Sequence, residues 1–77
     1  MIVEKIVWED PASIDSWTDI KELDGFLNHI ITVGIILNET ATSMIVCLNY
    51  DPKDQQASCT MYIPKSTIIS REIICKI

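Results

Sequence analysis

Five short stretches of the chain are rich in apolar and β-branched residues and are separated by polar or proline-containing segments; they lie at residues 2–8, 29–37, 43–50, 57–63 and 68–77. Such stretches predict five β-strands, in which successive side chains lie on opposite faces of the sheet. The second stretch is the most apolar: Ile31, Val33, Ile35 and Leu37 form one row, and Ile30, Thr32, Gly34 and Ile36 form the other. We interpret Gly34 as a bulge or as a close approach of another backbone.

The segments between these stretches predict how the strands are joined. Asp10-Pro11 ends the first strand, because proline cannot continue a central ladder. Ser16 as N-cap and Gly25 as stop signal predict a short helix between strands 1 and 2. Residues 64–67 predict a single tight helical turn before the last strand. We therefore expect one mostly β domain over residues 1–77, a small five-stranded antiparallel SH3-like barrel.

The chain is rich in apolar residues for its size. Seventy-seven residues bury only a thin core, yet 48% of them are hydrophobic. A thin core cannot easily cover both faces of the strand at 29–37, and an uncovered apolar patch usually marks an interface. We expect a homo-oligomer.

Acidic residues are concentrated at the start of the chain. Residues 1–24 hold seven acidic residues against two basic ones, whereas residues 25–77 hold four of each. An acidic front half repels nucleic acid and anionic lipid, so we expect neither duplex nucleic acid nor membrane as a partner. A small phosphorylated ligand needs only two or three donors and stays possible.

The cysteines indicate a reducing compartment. Cys47, Cys59 and Cys75 are odd in number and lack the spacing of a zinc site. All three lie in apolar strand patterns, where we expect buried free thiols. With no signal peptide and no apolar run of about 20 residues, we expect a protein of the cytosol.

The best candidate ligand site lies at the turn before the last strand. Lys65, Ser66 and Thr67 form a donor-rich turn, and Arg71 follows. Backbone amides of a tight turn can bind an anion, and basic side chains can complete a phosphate site. Trp8 and Trp17 could add a stacking wall for a base. The alternative is a structural turn with exposed charges and two core indoles.

Other reactive side chains are better explained structurally. His29 and the cysteines show no local motif of a nucleophile and its base. The five acidic residues between positions 10 and 24 lack the spacing of a calcium loop and fit a solvated helix face. They are Asp10, Asp15, Asp19, Glu22 and Asp24. We expect no enzymatic activity, no metal and no cofactor.

Several short motifs occur in an order that resembles a group of short bacteriophage and prophage proteins of unassigned function. They are Trp8-Glu9-Asp10, residues 13–17 (Ser-Ile-Asp-Ser-Trp), Thr32-Val33-Gly34, Asn38-Glu39 and Ile63-Pro64-Lys65. The resemblance implies a phage product acting in the host bacterial cytoplasm. By analogy with other tiny phage proteins, it suggests antagonism of host antiviral defence.

Three functions are compatible with this sequence. The first is sequestration of a nucleotide immune signal at Lys65 and Arg71. The second is an acidic protein–protein module that binds and inhibits a host defence protein. The third is a structural or regulatory accessory of the phage. A pocket lined by tryptophan and by Lys65 or Arg71 favours the first, and an unbroken acidic surface favours the second.

Overall fold

The computed structural model describes residues 1–10 and 28–77, which form one five-stranded antiparallel sheet. The strands are β1 (Ile2–Asp10), β2 (Asn28–Glu39), β3 (Ser43–Asp51), β4 (Gln56–Pro64) and β5 (Ile68–Lys76). All five predicted strands are confirmed. The predicted helix between strands 1 and 2 lies outside the described residues, as does Trp17.

The strand order across the sheet is β4-β3-β2-β1-β5. Strands β2, β3 and β4 follow one another as hairpins, while β5 returns to lie beside β1. A 3-10 turn at Lys65–Thr67 joins β4 to β5 and confirms the predicted helical turn. Strands β4 and β5 are therefore the two edges of the sheet.

In residues 1–10 and 28–77, the core lies on one face of the sheet. Its buried cluster consists of Ile6 on β1, Met44 and Val46 on β3, and Ile63 on β4. Three partly buried side chains pack against the cluster, namely Trp8, Ile36 and Ile68. On β3, Met44 and Val46 are buried, whereas Leu48 is 62% exposed.

Gly34 lies where two strands come close together. A Cβ atom at this position would lie 2.5 Å from Cγ1 of Val46 and 2.8 Å from the backbone oxygen of Cys47. Both distances are shorter than ordinary van der Waals contact. The predicted close approach of another backbone is thus confirmed, and the absence of a side chain at Gly34 lets β2 pack against β3.

The expected burial of the cysteines is wrong for two of the three. Cys47 is buried in β3, and burial raises the pKa of its thiol. Cys59 and Cys75 are exposed because they lie on the edge strands β4 and β5, which are exposed along nearly their whole length. An apolar strand pattern does not bury a residue when nothing covers the strand.

Within the described residues, no helix is long and apolar enough to cross a membrane.

Replacing Gly34 by alanine should destabilise the fold by roughly 2 kcal/mol, because the added methyl group overpacks the contact between β2 and β3. Urea unfolding followed by far-UV circular dichroism measures this loss. Ser70→Ala changes an exposed position and serves as the control, with an expected change below about 0.5 kcal/mol. Equal stability of the Gly34 variant and the parent would show that the two strands separate easily here.

Candidate functional site

The 3-10 turn is held in place by its own backbone and side chains. The Lys65 N–H donates to the Thr42 carbonyl oxygen over 2.8 Å, and the Ile68 N–H donates to the Lys65 carbonyl oxygen. The Thr67 hydroxyl donates to the Pro64 carbonyl oxygen over 2.6 Å. Of the turn residues predicted to bind an anion, Thr67 thus has a structural partner, and Ser66 is exposed.

Arg71 on β5 forms a two-point ion pair with Glu4 on β1. Its Nε donates to Oε1 of Glu4 over 2.9 Å, and its Nη2 donates to Oε2 over 2.8 Å. Glu4 is only 5% exposed and lies on the same sheet face as Ile6. A buried carboxylate is costly unless it is paired, so Arg71 supplies the charge that makes this position of Glu4 tolerable.

Glu39, the last residue of β2, joins the same group of charges. Its Oε1 accepts from Nη1 of Arg71 over 2.6 Å and lies 3.0 Å from Nζ of Lys65. Hydrogen bonds from Arg71 and then from Lys65 lower the pKa of Glu39 from 4.5 to about 2. Hydrogen bonds to Glu4 and Glu39 likewise raise the pKa of Arg71. We call these four residues, Glu4, Glu39, Lys65 and Arg71, the charged cluster.

The charged cluster changes what the turn offers a ligand. The two cations predicted to bind phosphate each contact a carboxylate, and the four side chains together carry no formal net charge. A phosphate that binds here must compete with Glu39 for both cations and overcome repulsion from its carboxylate. Nucleotide binding at Lys65, Ser66, Thr67 and Arg71 stays a prediction.

Glu4 and Glu39 are the members of the cluster that the sequence reasoning missed. Glu4 nevertheless carries a signal, because it occupies a core-facing position of a strand between Ile2 and Ile6. A charged residue at such a position predicts a buried partner of opposite charge. Glu39 carries no comparable signal, since it follows the polar Asn38 at a strand end.

Trp8 is placed by packing and by one hydrogen bond. Its indole packs against the core cluster, and its Nε1 donates to Oγ1 of Thr32 over 3.0 Å. Trp8 also pairs with Ile68, the first residue after the 3-10 turn. The predicted stacking wall of Trp8 and Trp17 stays a prediction, because Trp17 is outside the described residues.

The remaining candidates from the sequence are separate from this cluster. Nε2 of His29 lies 3.4 Å from Oε1 of Glu9, at the opposite end of β1 from Glu4. In residues 1–10 and 28–77, no group of three or more His, Cys, Asp or Glu side chains is placed to hold a metal ion. Four of the acidic residues considered above, Asp15, Asp19, Glu22 and Asp24, lie outside these ranges.

Arg71→Ala should lower the free energy of unfolding by roughly 2 kcal/mol, because Glu4 is left buried without its cation. The value is below that for a fully buried pair, since the Arg71 side chain is 34% exposed. Urea unfolding followed by tryptophan fluorescence measures it. Lys76→Ala, an exposed cation on the same strand, is the control. The double variant Glu4→Leu with Arg71→Met removes both charges and should recover most of the lost stability. An unchanged free energy of unfolding in Arg71→Ala would contradict the pairing role of Arg71.

Glu39 should make the fold sensitive to acid. Because hydrogen bonds from Arg71 and Lys65 lower its folded-state pKa to about 2 from 4.5, its contribution is fully present above about pH 4.5 and is lost as the pH falls towards 2. The free energy of unfolding of Glu39→Gln should therefore differ most from that of the parent above pH 4.5. The two values should converge as the pH falls towards 2. Glu72→Gln, which removes a carboxylate 3.6 Å from Lys5 alone, should shift the acid transition less. Parallel curves for the parent and Glu39→Gln would contradict the shared ion pair.

Comparison of the chain with protein-family models, with curated proteins and with solved structures gives no match.

Proposed function

We propose that this chain is a non-enzymatic binding domain that works as a homo-oligomer and binds a protein partner. One observation carries the proposal: ten large apolar side chains of the described residues are 40% or more exposed, while five hydrophobic residues are buried. A domain that leaves this many large apolar side chains exposed gains stability when another protein covers them.

The exposed apolar residues are spread over several strands. Ile31 and Val33, on central strand β2, are 66% and 48% exposed on the face opposite the core. Tyr62 on β4 is 70% exposed, and Ile73 and Ile74 on β5 are 57% and 52% exposed. The two-faced character of β2 supports the sequence-based expectation of an oligomer, because its second face is apolar and open in these residues.

We also propose that the sheet belongs to the SH3-like barrel class. Two features support this assignment, namely the return of β5 to the side of β1 and the 3-10 turn that precedes β5. In such a fold, binding surfaces are formed by strand faces and connecting loops, which agrees with a module that acts by contact.

A protein partner fits the described residues better than a nucleotide. The cations Lys65 and Arg71 are already paired with carboxylates, so a nucleotide would gain little from them. Apolar side chains, in contrast, are open. The wider expectation from the resemblance stays a prediction: a bacteriophage protein that antagonises host antiviral defence in the bacterial cytoplasm. A phage structural or regulatory accessory would use the same kind of surface.

Light scattering at micromolar concentration should give at least twice the chain mass of 8.7 kDa, because association covers the exposed apolar side chains. Cys59→Ser with Cys75→Ser is the control, since it removes both exposed thiols and with them any disulfide-linked dimer. The double variant should keep the parent mass. A monomer across a hundredfold dilution range would overturn the homo-oligomer.

A further inference from the structure

The two edges of the sheet differ in how well they resist pairing with another strand. Strand β5 carries Arg71, Glu72 and Lys76, and its register with β1 shifts twice, between Val3 and Glu4 and between Val7 and Trp8. Charges and bulges on an edge strand are devices that prevent edge-to-edge association. Strand β5 has both of them.

Strand β4 has neither device. Gln56–Pro64 contains no charged side chain, and its pairs with β3 keep one register from Pro64 to Gln56, interrupted once where Cys59 is left unpaired with β3. Cys59 has a φ of 55°, but the pairing with β3 continues in the same register on both sides of it. Every residue of β4 except Ile63 is exposed, with Met61 at 40% and Tyr62 at 70%. An uncharged, apolar and exposed edge strand is a template for a further strand.

We propose that two copies of this chain associate by antiparallel pairing of their β4 strands, which joins the two sheets into one. The inference rests on the homo-oligomer proposed above and names the surface that forms it. Nine residues at about 3.3 Å per residue give an edge roughly 30 Å long. Backbone hydrogen bonds along this edge bring the exposed Met61 and Tyr62 of each copy against the other.

Charge supports a second copy of the chain as the occupant. Each copy carries a net charge of -5, so a self-pairing surface must avoid setting like charges against each other. Uncharged β4 meets this condition. Asp51, Lys53 and Asp54 precede β4 with a net charge of -1, whereas Lys65, which follows β4, is paired with Glu39. Antiparallel pairing keeps the acidic ends of the two β4 strands apart, whereas parallel pairing would set them side by side.

A lysine placed on β4 tests the inference. Thr60→Lys puts a charge at an exposed position of β4 in both copies and should halve the mass that light scattering gives for the parent at micromolar concentration. Ser70→Lys is the matched control, because it makes the same kind of change at an exposed position of β5 and should leave the mass unchanged. Far-UV circular dichroism checks that both variants are folded.

Hydrogen exchange on the parent protein gives a second readout that needs no variant. Dilution that dissociates the oligomer should speed the exchange of backbone amides in β4 and leave those in β5 unchanged. Dilution-independent exchange in β4 would overturn the inference.

The outcomes distinguish this inference from the proposed function. A monomeric parent overturns both. An oligomeric parent whose mass survives Thr60→Lys overturns β4 pairing and leaves the homo-oligomer standing. If both lysine variants are monomers alone but form a dimer when mixed, the contact runs from β4 of one copy to β5 of the next, and β4–β4 pairing is overturned.

Discussion

The ion pair between Glu4 and Arg71 is the interaction on which the arrangement of the sheet depends. Strand β5 does not form a hairpin with the strand before it. It pairs with β1, and Arg71 on β5 binds Glu4 on β1. Through Glu39, the same guanidinium also reaches the end of β2, and Lys65 connects that carboxylate to the 3-10 turn. One arginine therefore ties the last strand to two others and fixes the position where the chain leaves the turn. The positive charge of Arg71 therefore stabilises the fold.

The buried carboxylate of Glu4 also affects the hydrophobic core. Four hydrophobic residues form the buried cluster, and Glu4 lies on the same face of β1 as Ile6, which belongs to it. A carboxylate at that position reduces the apolar area that the domain can bury by itself. The apolar residues that remain are on the open face of β2 and along the edges, where they are available to other molecules. On the described strands, few apolar side chains are buried and many are exposed. The small core and the proposed binding surface thus have the same cause.

Much of the fold could be predicted from the sequence because strand alternation is a local property. The positions of the strands, the 3-10 turn and the close contact at Gly34 all follow from neighbouring residues. Burial of Cys59 and Cys75 could not be predicted in this way, since it depends on which strands become edges. The partners of Arg71 were missed for a similar reason: Glu4 is 67 residues away along the chain and Glu39 is 32 residues away. Pattern analysis of single strands shows which residues are charged, but the order of the strands decides which charges meet.

The return of β5 to the side of β1 also sets the order in which the structure can form. Hairpins such as β2–β3 and β3–β4 close over short loops, and contacts of this kind carry a small entropic cost. The β1–β5 ladder closes a much longer loop, from Ile6 to Arg71 for example, so we expect it to form after the hairpins. During synthesis, Glu4 leaves the ribosome long before Arg71 does, and its carboxylate stays in water until β5 has been made. The buried ion pair of Glu4 can therefore form only after β5 has been synthesised.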